Sequence, residues 1–489
     1  MVPVQEKARC KRPHVGFRIG NRLAIDRVAP AFGGRSAADR TDDPVDFAPS
    51  DARELADVGD VPVESLGSQQ LVDPALLSEL ERVVADSSCH PTELAQIARE
   101  LFRSEHHDGD DEKHAQLAES ETKHPARVAC AMLWGLVLAL QAVTPDELVF
   151  ACGISAPEAR KVVSAVHRGR WVSGDAEEVR PRPIPGVRRA SIDAVHACGR
   201  LESLETCATE RSGLDPFVKL ALATLDGHRI ETVRIPLERA GRFSVCVSSQ
   251  VGCALGCVFC ATGRLGLGRN LASWEIVEQV RAVRQTLRAG ERVHGIVFQG
   301  MGEPLANLDG VLRAVRVMSD PCALAIDARA ITVCTSGLPQ GILRLAREAP
   351  RVRVAISVGS ARPQVRRALM PIEERYPFGQ VLLAVEEHAR ITGLAPLWAL
   401  TLLAGVNDTV EDADALVEVA LRFAARTGIR PRVSVIPYNS IDVPGRDPFH
   451  RGDVERFRAA LSARGLPAHL RYSGGSDVNA ACGQLGRVG

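Results

Sequence analysis

Lysine is nearly missing from this 489-residue chain: six of its 60 basic residues are Lys, and none lies beyond Lys219. Biased composition alone produces such a pattern, so it identifies no partner. Aromatic residues are also few, at 4%. No apolar run reaches the length of a membrane span. The longest, residues 128–143 (VACAMLWGLVLALQAV), falls short of the roughly 20 residues a helix needs to cross a bilayer, so a buried helix is expected there. The N-terminus is Arg-rich but has no apolar segment or cleavage site, which excludes a secretory signal. Thirteen cysteines, an odd number scattered over the chain, do not form the framework of a secreted disulfide protein. A cytoplasmic address is expected, with the thiols left for metal ligation or redox chemistry. No repeat at a solenoid period is found.

What is there reads as a globular chain of two or three domains, with 45% apolar and 25% charged residues. The formal charge is zero but unevenly spread. Residues 1–40 hold nine Lys/Arg against three Asp/Glu, residues 41–120 hold five against twenty, and residues 121–489 hold 46 against 37. The larger part is mildly basic, which suits a polyanionic partner.

Residues 1–70 lack sustained hydrophobic periodicity and are expected to be a disordered leader. Residues 71–180 show helical spacing, as in PALLSELERVVAD and APEARKVVSAVHRG, and predict a helical N-terminal domain. Residues 181–241 read as a Pro-rich linker and a β-hairpin extension, with FVKLALATL and HRIETVRIP flanking Asp226–Gly227. From residue 242 to 475, six strands alternate with helices: FSVCVSS (243–249), VHGIVFQ (293–299), ARAITVCTS (328–336), RVRVAIS (351–357), LWALTLL (397–403) and RPRVSVIP (430–437). This predicts an α/β fold, an open (βα)6 barrel, closed by a C-terminal tail at 476–489.

The strongest chemical signal is GCALGCVFCATG, where Cys253, Cys257 and Cys260 form C-x3-C-x2-C in the loop after the first barrel strand. Clustered thiolates suit an iron–sulfur centre. The next cysteine, Cys322, is 62 residues away, so a [4Fe–4S] cluster held here keeps one iron open for a substrate. Structural zinc takes four closed ligands and fits less well.

This spacing resembles the radical S-adenosylmethionine (SAM) superfamily. Neighbouring words narrow the likeness: CVSSQVGCALGCVFCATG (246–263), GRNL with EI (268–271, 275–276), QGMGEPLANL (299–308), MPI and RYP (370–377), GVND (405–408), IPYN (436–439) and NAACGQL (479–485). In this order they are similar to the radical SAM enzymes that methylate an adenine carbon, C-2, in ribosomal and transfer RNA, and to a sister group that modifies C-8 and confers antibiotic resistance. The resemblance covers residues 210–489.

The likeness implies a radical route, because these adenine carbons are poor nucleophiles. The cofactor carries the hard step, and the protein supplies position. It implies one [4Fe–4S] cluster per chain and two SAM per turnover, one of them methylating a cysteine carrier. Cys482 matches that carrier. Cys246 matches the cysteine that attacks the carrier sulfur to release product, leaving a transient disulfide. Glu231 falls where a proton acceptor is proposed. Gly302, Glu303, Cys334, Ser357 and Asn439 match SAM-contact positions. Three departures stand out: Cys334 replaces a usual Ser, Val358-Gly359 replaces Leu-His, and Gly474 and Ser476 stand where the C-2 enzymes have Arg and Asp. Structured RNA with an unstacked adenine is the implied substrate, and a flavodoxin or ferredoxin the implied electron donor. A cluster-bearing RNA-binding or electron-transfer protein without methylation is the alternative, against which Cys246 and Cys482 both argue.

Overall fold

The computed structural model describes residues 137–171, 182–441 and 447–486. The leader and most of the expected helical domain lie outside the described residues. So do residues 128–136 of the expected buried helix. The rest of that apolar run is not helical in the expected way. Leu138–Ala139 pairs in parallel with Gly199–Arg200, and Leu140–Ala142 is a buried 3-10 turn. Gly199 permits the pairing, since a Cβ there would collide with the Leu140 side chain. A short apolar run does not by itself say whether it is buried as helix or strand, and here the partner strand decided.

Two predicted helices follow. Pro145–Cys152 is closed at its start by a Thr144–Glu147 capping box and at its end by Gly153 in the left-handed region. In Ala156–His167, the Glu158 carboxylate accepts from Ser155 and from Arg188. Leu148, Val162, Val166 and Trp171 bury against Ile192 and Val195 of the helix Arg189–Cys198, giving a small core of their own. That core thus crosses the expected boundary at residue 181. It is tied to the larger body by Arg281, whose guanidinium donates to the Val166 carbonyl at 2.8 Å.

The main body is one ten-stranded sheet. In spatial order its strands are Ala468–Leu470, Arg432–Pro437, Leu397–Leu402, Arg353–Ser357, Ile331–Thr335, Arg292–Phe298, Arg242–Cys246, Arg229–Pro236, Val218–Ala223 and Glu205–Arg211. The six predicted barrel strands are all present and pair in parallel in chain order. The first and last strands do not pair, so the barrel is open. Its strands are apolar on both faces because helices cover the outside and side chains fill the inside. Trp398, fully buried, meets Phe378 and Phe423 edge-on at 6.4 and 5.5 Å between ring centroids. Each such pair adds about 0.5–1.5 kcal/mol beyond the area it buries.

The expected hairpin is Val218–Ala223 with Arg229–Pro236, turned by Thr224–His228 around Gly227 at φ 82°. Sequence reading missed four more strand segments. Glu205–Arg211 is largely exposed and adds antiparallel to the hairpin. Ala468–Leu470 is short and leads into the tail. Gln250–Cys253 pairs with Gly266–Asn270, making a small hairpin whose enclosed loop holds the cysteine motif.

Candidate active site

The C-terminal ends of the parallel strands converge on one open cavity, where barrel sites are built. Gln299, Cys334, Thr335, Ser357, Thr401 and Ile436 reach it from five consecutive strands or the residues just after them, and Cys253, Cys257 and Cys260 reach it from the hairpin loop. It encloses about 920 Å³ including its open mouth.

The three predicted ligand cysteines are held by different pieces of backbone. Cys253 ends a strand, Cys257 sits in the following turn, and Cys260 immediately precedes the short helix Ala261–Arg264. Burial pushes the Cys253 thiol up to about 11 and the Cys257 thiol up to about 12, with their neighbouring cysteines adding to both. Cys260 is raised for the same first reason. A positively charged iron–sulfur core is the kind of partner that holds three such thiols deprotonated. Among the described residues, no three His, Cys, Asp or Glu groups converge on a single ion. Three thiols lining one cavity are the donor set that an iron–sulfur cluster takes.

Gly302 and Glu303 dock the strand-end loop under this cavity. Gly302 has φ 99°, and a Cβ there would come within 2.8 Å of the Gln250 backbone nitrogen. The Gln250 side-chain oxygen accepts from the Glu303 N–H at 2.8 Å. The buried Glu303 carboxylate in turn accepts from the N–H groups of Ser336, at 2.8 Å, and Leu305, at 3.0 Å. Burial nonetheless raises its pKa from an ordinary 4.5 to about 7. The folded state thus binds this proton more tightly than the unfolded chain. Its contribution to stability is fully present below about pH 4.5 and is lost as the pH rises through about 7. In the cluster-free protein we expect Glu303→Gln to remove a pH-dependent loss on the order of 3 kcal/mol. Urea unfolding of both proteins at about pH 4 and about pH 8 measures it, and equal slopes would refute the assignment.

Cys246 and Cys482 line a second, smaller cavity beside the first, together with Phe217, Arg471 and Tyr472. Cys482 lines both cavities, as do Cys260 and Gln299. Burial drives the Cys246 thiol far above its ordinary value, the neighbouring Cys482 adds to this, and Arg471 pulls it back. Cys334 is raised by burial to about 12, with Arg471 again opposing. Sequence reading missed Arg471. Burial opposes its charge, but Cys482, Cys334 and Cys246 around it raise its pKa overall. No spacing rule connects this arginine to three cysteines on separate segments.

The tail is strapped onto the cluster loop. The Gly483 carbonyl accepts from Ala261 N–H at 2.8 Å, one residue after Cys260, and the Leu485 carbonyl accepts from the Thr262 hydroxyl at 2.6 Å. The Cys482 N–H donates to the Ser473 hydroxyl at 2.9 Å, and its carbonyl accepts from the Asn439 amide at 3.2 Å. Asn439, expected to contact SAM, does not line the first cavity, and its amide also donates to the Ser473 hydroxyl at 3.0 Å beside Cys482. Glu231 also reaches the tail. One carboxylate oxygen accepts from Gly486 N–H at 2.8 Å, and the other lies 3.4 Å from Lys219 Nζ and 3.5 Å from Arg229. Cys246 pairs with Val233, two residues along the same strand from Glu231, so Glu231 and Cys246 share one face of the sheet. The departure at Gly474 has a local cause: a Cβ there would come within 2.6 Å of the Phe217 ring.

Residues 247–435 match the Radical SAM superfamily. A probable RNA methyltransferase of Sorangium cellulosum is 54% identical over 363 residues, covering 70% of this chain and 91% of that protein. A dual-specificity RNA methyltransferase RlmN of Syntrophobacter fumaroxidans is 41% identical, covering 58% of this chain and 80% of its own length. The crystal structure of a radical SAM methyltransferase from Sphaerobacter thermophilus superposes with a TM-score of 0.62 at 37% identity, covering 72% of this chain and all of that one. Among the described residues, no helix is long and apolar enough to cross a membrane. The three-cysteine loop at the mouth of an open parallel barrel, and relatives matched over nearly their whole length, lead to one conclusion: this chain belongs to the radical SAM RNA methyltransferases.

Proposed function

We propose that this enzyme adds a methyl group to a ring carbon of adenine, C-2, in structured ribosomal or transfer RNA, with Cys482 as the methyl carrier. The observation that supports this reading is the position of Cys482, which lines both the cavity of the three ligand cysteines and the cavity of Cys246. A carrier must serve two places, one where it is loaded and one where it delivers.

Cys253, Cys257 and Cys260 would hold one [4Fe–4S] cluster per chain, with Gly302, Glu303, Cys334 and Ser357 around SAM. When bound, and reduced by a flavodoxin or ferredoxin, these groups supply the methyl group and a 5′-deoxyadenosyl radical, at a cost of two SAM. The Cys482 thiolate takes up the methyl group. After one hydrogen is abstracted from it, the methylene carbon on Cys482 bonds to the base. Glu231 removes the ring proton so that aromaticity returns, once the Gly486 amide it now holds has yielded. The Cys246 thiolate then attacks the Cys482 sulfur. The carbon–sulfur bond breaks with its electron pair on the methylene carbon, which takes up a proton to become the methyl group, and a Cys246–Cys482 disulfide remains. The one surplus electron of the radical route would return to the cluster that Cys253, Cys257 and Cys260 would hold. Arg471 opposes the burial that otherwise holds the Cys246 thiol protonated.

A second reading, C-8 in place of C-2, is favoured by Gly474 and Ser476, the departures next to the carrier. Nucleosides from wild-type and gene-deleted cells, digested and separated by mass spectrometry, decide between them. We expect 2-methyladenosine to vanish on deletion. Loss of 8-methyladenosine instead would select the second reading, and loss of neither would overturn both.

A further inference from the structure

The second cavity carries an aromatic wall that neither the cluster nor SAM uses. Tyr472 lines this cavity together with Cys246 and Cys482, yet 65% of it is exposed. The chain has only three tyrosines, so a large exposed ring beside the reacting thiols calls for an explanation. The ring is not loose. Its hydroxyl donates to Asp215 at 2.8 Å, and it meets the buried Phe217 ring edge-on at 5.9 Å. The same Asp215 carboxylate accepts from the N–H of Gly475 at 2.9 Å and of Phe217 at 3.1 Å. One carboxylate thus fixes the hairpin side and the tail side of the wall together.

We propose that Tyr472, backed by Phe217, is a stacking surface for an unstacked base of the RNA substrate at the mouth of the Cys246–Cys482 cavity. This rests on the RNA methyltransferase reading above. A base drawn out of a folded RNA loses its neighbours, and an aromatic face replaces them whatever the base. A ring already held in place by Asp215 gives up little freedom when the base arrives. Phe217 sets the position of the wall, and Gly474 leaves room for it. Tyr472 is therefore a positioning residue for the substrate and takes no part in bond making.

The test compares Tyr472→Ala and Tyr472→Phe as reconstituted holoenzymes with RNA from gene-deleted cells. Two quantities are measured: methyl loading of Cys482 without RNA, by intact-protein mass spectrometry, and the rate of RNA methylation against RNA concentration. We expect both variants to load normally. Tyr472→Ala should raise the apparent KM for RNA by about ten- to a hundred-fold, the loss expected for one stacked base. Tyr472→Phe, which keeps the ring, should stay within about three-fold of wild type. Unchanged RNA kinetics in Tyr472→Ala, with an active wild-type enzyme, would overturn the stacking surface alone. Loss of Cys482 loading in Tyr472→Ala would also overturn it, since the ring would then only be holding the tail. A wild-type enzyme that loads Cys482 but methylates no RNA would overturn the functional reading as well.

Discussion

A Cys246→Ala enzyme, reacted without oxygen with SAM, reductant and RNA, is expected to end as a covalent protein–RNA adduct. The reason is the division of work between two thiols that share a cavity. Cys482 can still be methylated and its carbon can still join the base, but nothing attacks its sulfur, so the bridge persists. Cys482→Ala should bind iron normally, accept no methyl group and form no adduct. The tail thiol lies outside the C-x3-C-x2-C loop, so its loss removes no ligand. Glu231→Gln should slow turnover by about a hundred-fold, toward the low end for a lost general base, because water can substitute. It also exchanges an acceptor carboxylate for an amide where Gly486 N–H and Lys219 now bind, which loosens the tail. A denaturing gel after reaction reads all three variants. Full RNA methylation by Cys246→Ala, with no retarded band, would mean this buried strand cysteine is core packing.

Replacing Cys253, Cys257 or Cys260 with Ala is expected to abolish the iron–sulfur absorbance and all SAM cleavage. Three thiols reach one cavity from the hairpin loop, and their shared burial makes each costly to ionise without a metal centre. Iron content and 5′-deoxyadenosine release are the measurements. A triple variant that keeps four irons and normal cleavage would remove the assignment. Loss is expected to be total, since a cluster left with two ligands has lost both its anchoring and its geometry.

How far the sequence reaches differs by element. The six barrel strands were legible because a parallel strand buried on both faces is a short apolar run, and each was bounded by helical spacing on the other side. The exposed strand Glu205–Arg211 was not, since its side chains alternate without an apolar face. Residues 138–142 read as helix because an apolar run looks alike in both states, and only the pairing with Gly199–Arg200 settled it. In the site, the cysteine loop announced itself by spacing, whereas Arg471, Ser473 and Tyr472 gave no signal.

By itself the sequence pointed to a candidate ligand set and the order of the barrel strands, and through a family resemblance to a candidate carrier. These are local facts: thiols a few residues apart, apolar runs of fixed length, and a short word around Cys482. Only the tertiary structure decided that Cys482 stands between two cavities and that Asn439 and Ser473 hold its turn. It alone decided that Glu231 grips the tail at Gly486, and that one arginine faces three cysteines. Those arrangements are made by hydrogen bonds and charges between residues up to 255 positions apart. Such contacts depend on where the barrel brings the segments, and no periodicity or spacing along the chain encodes them.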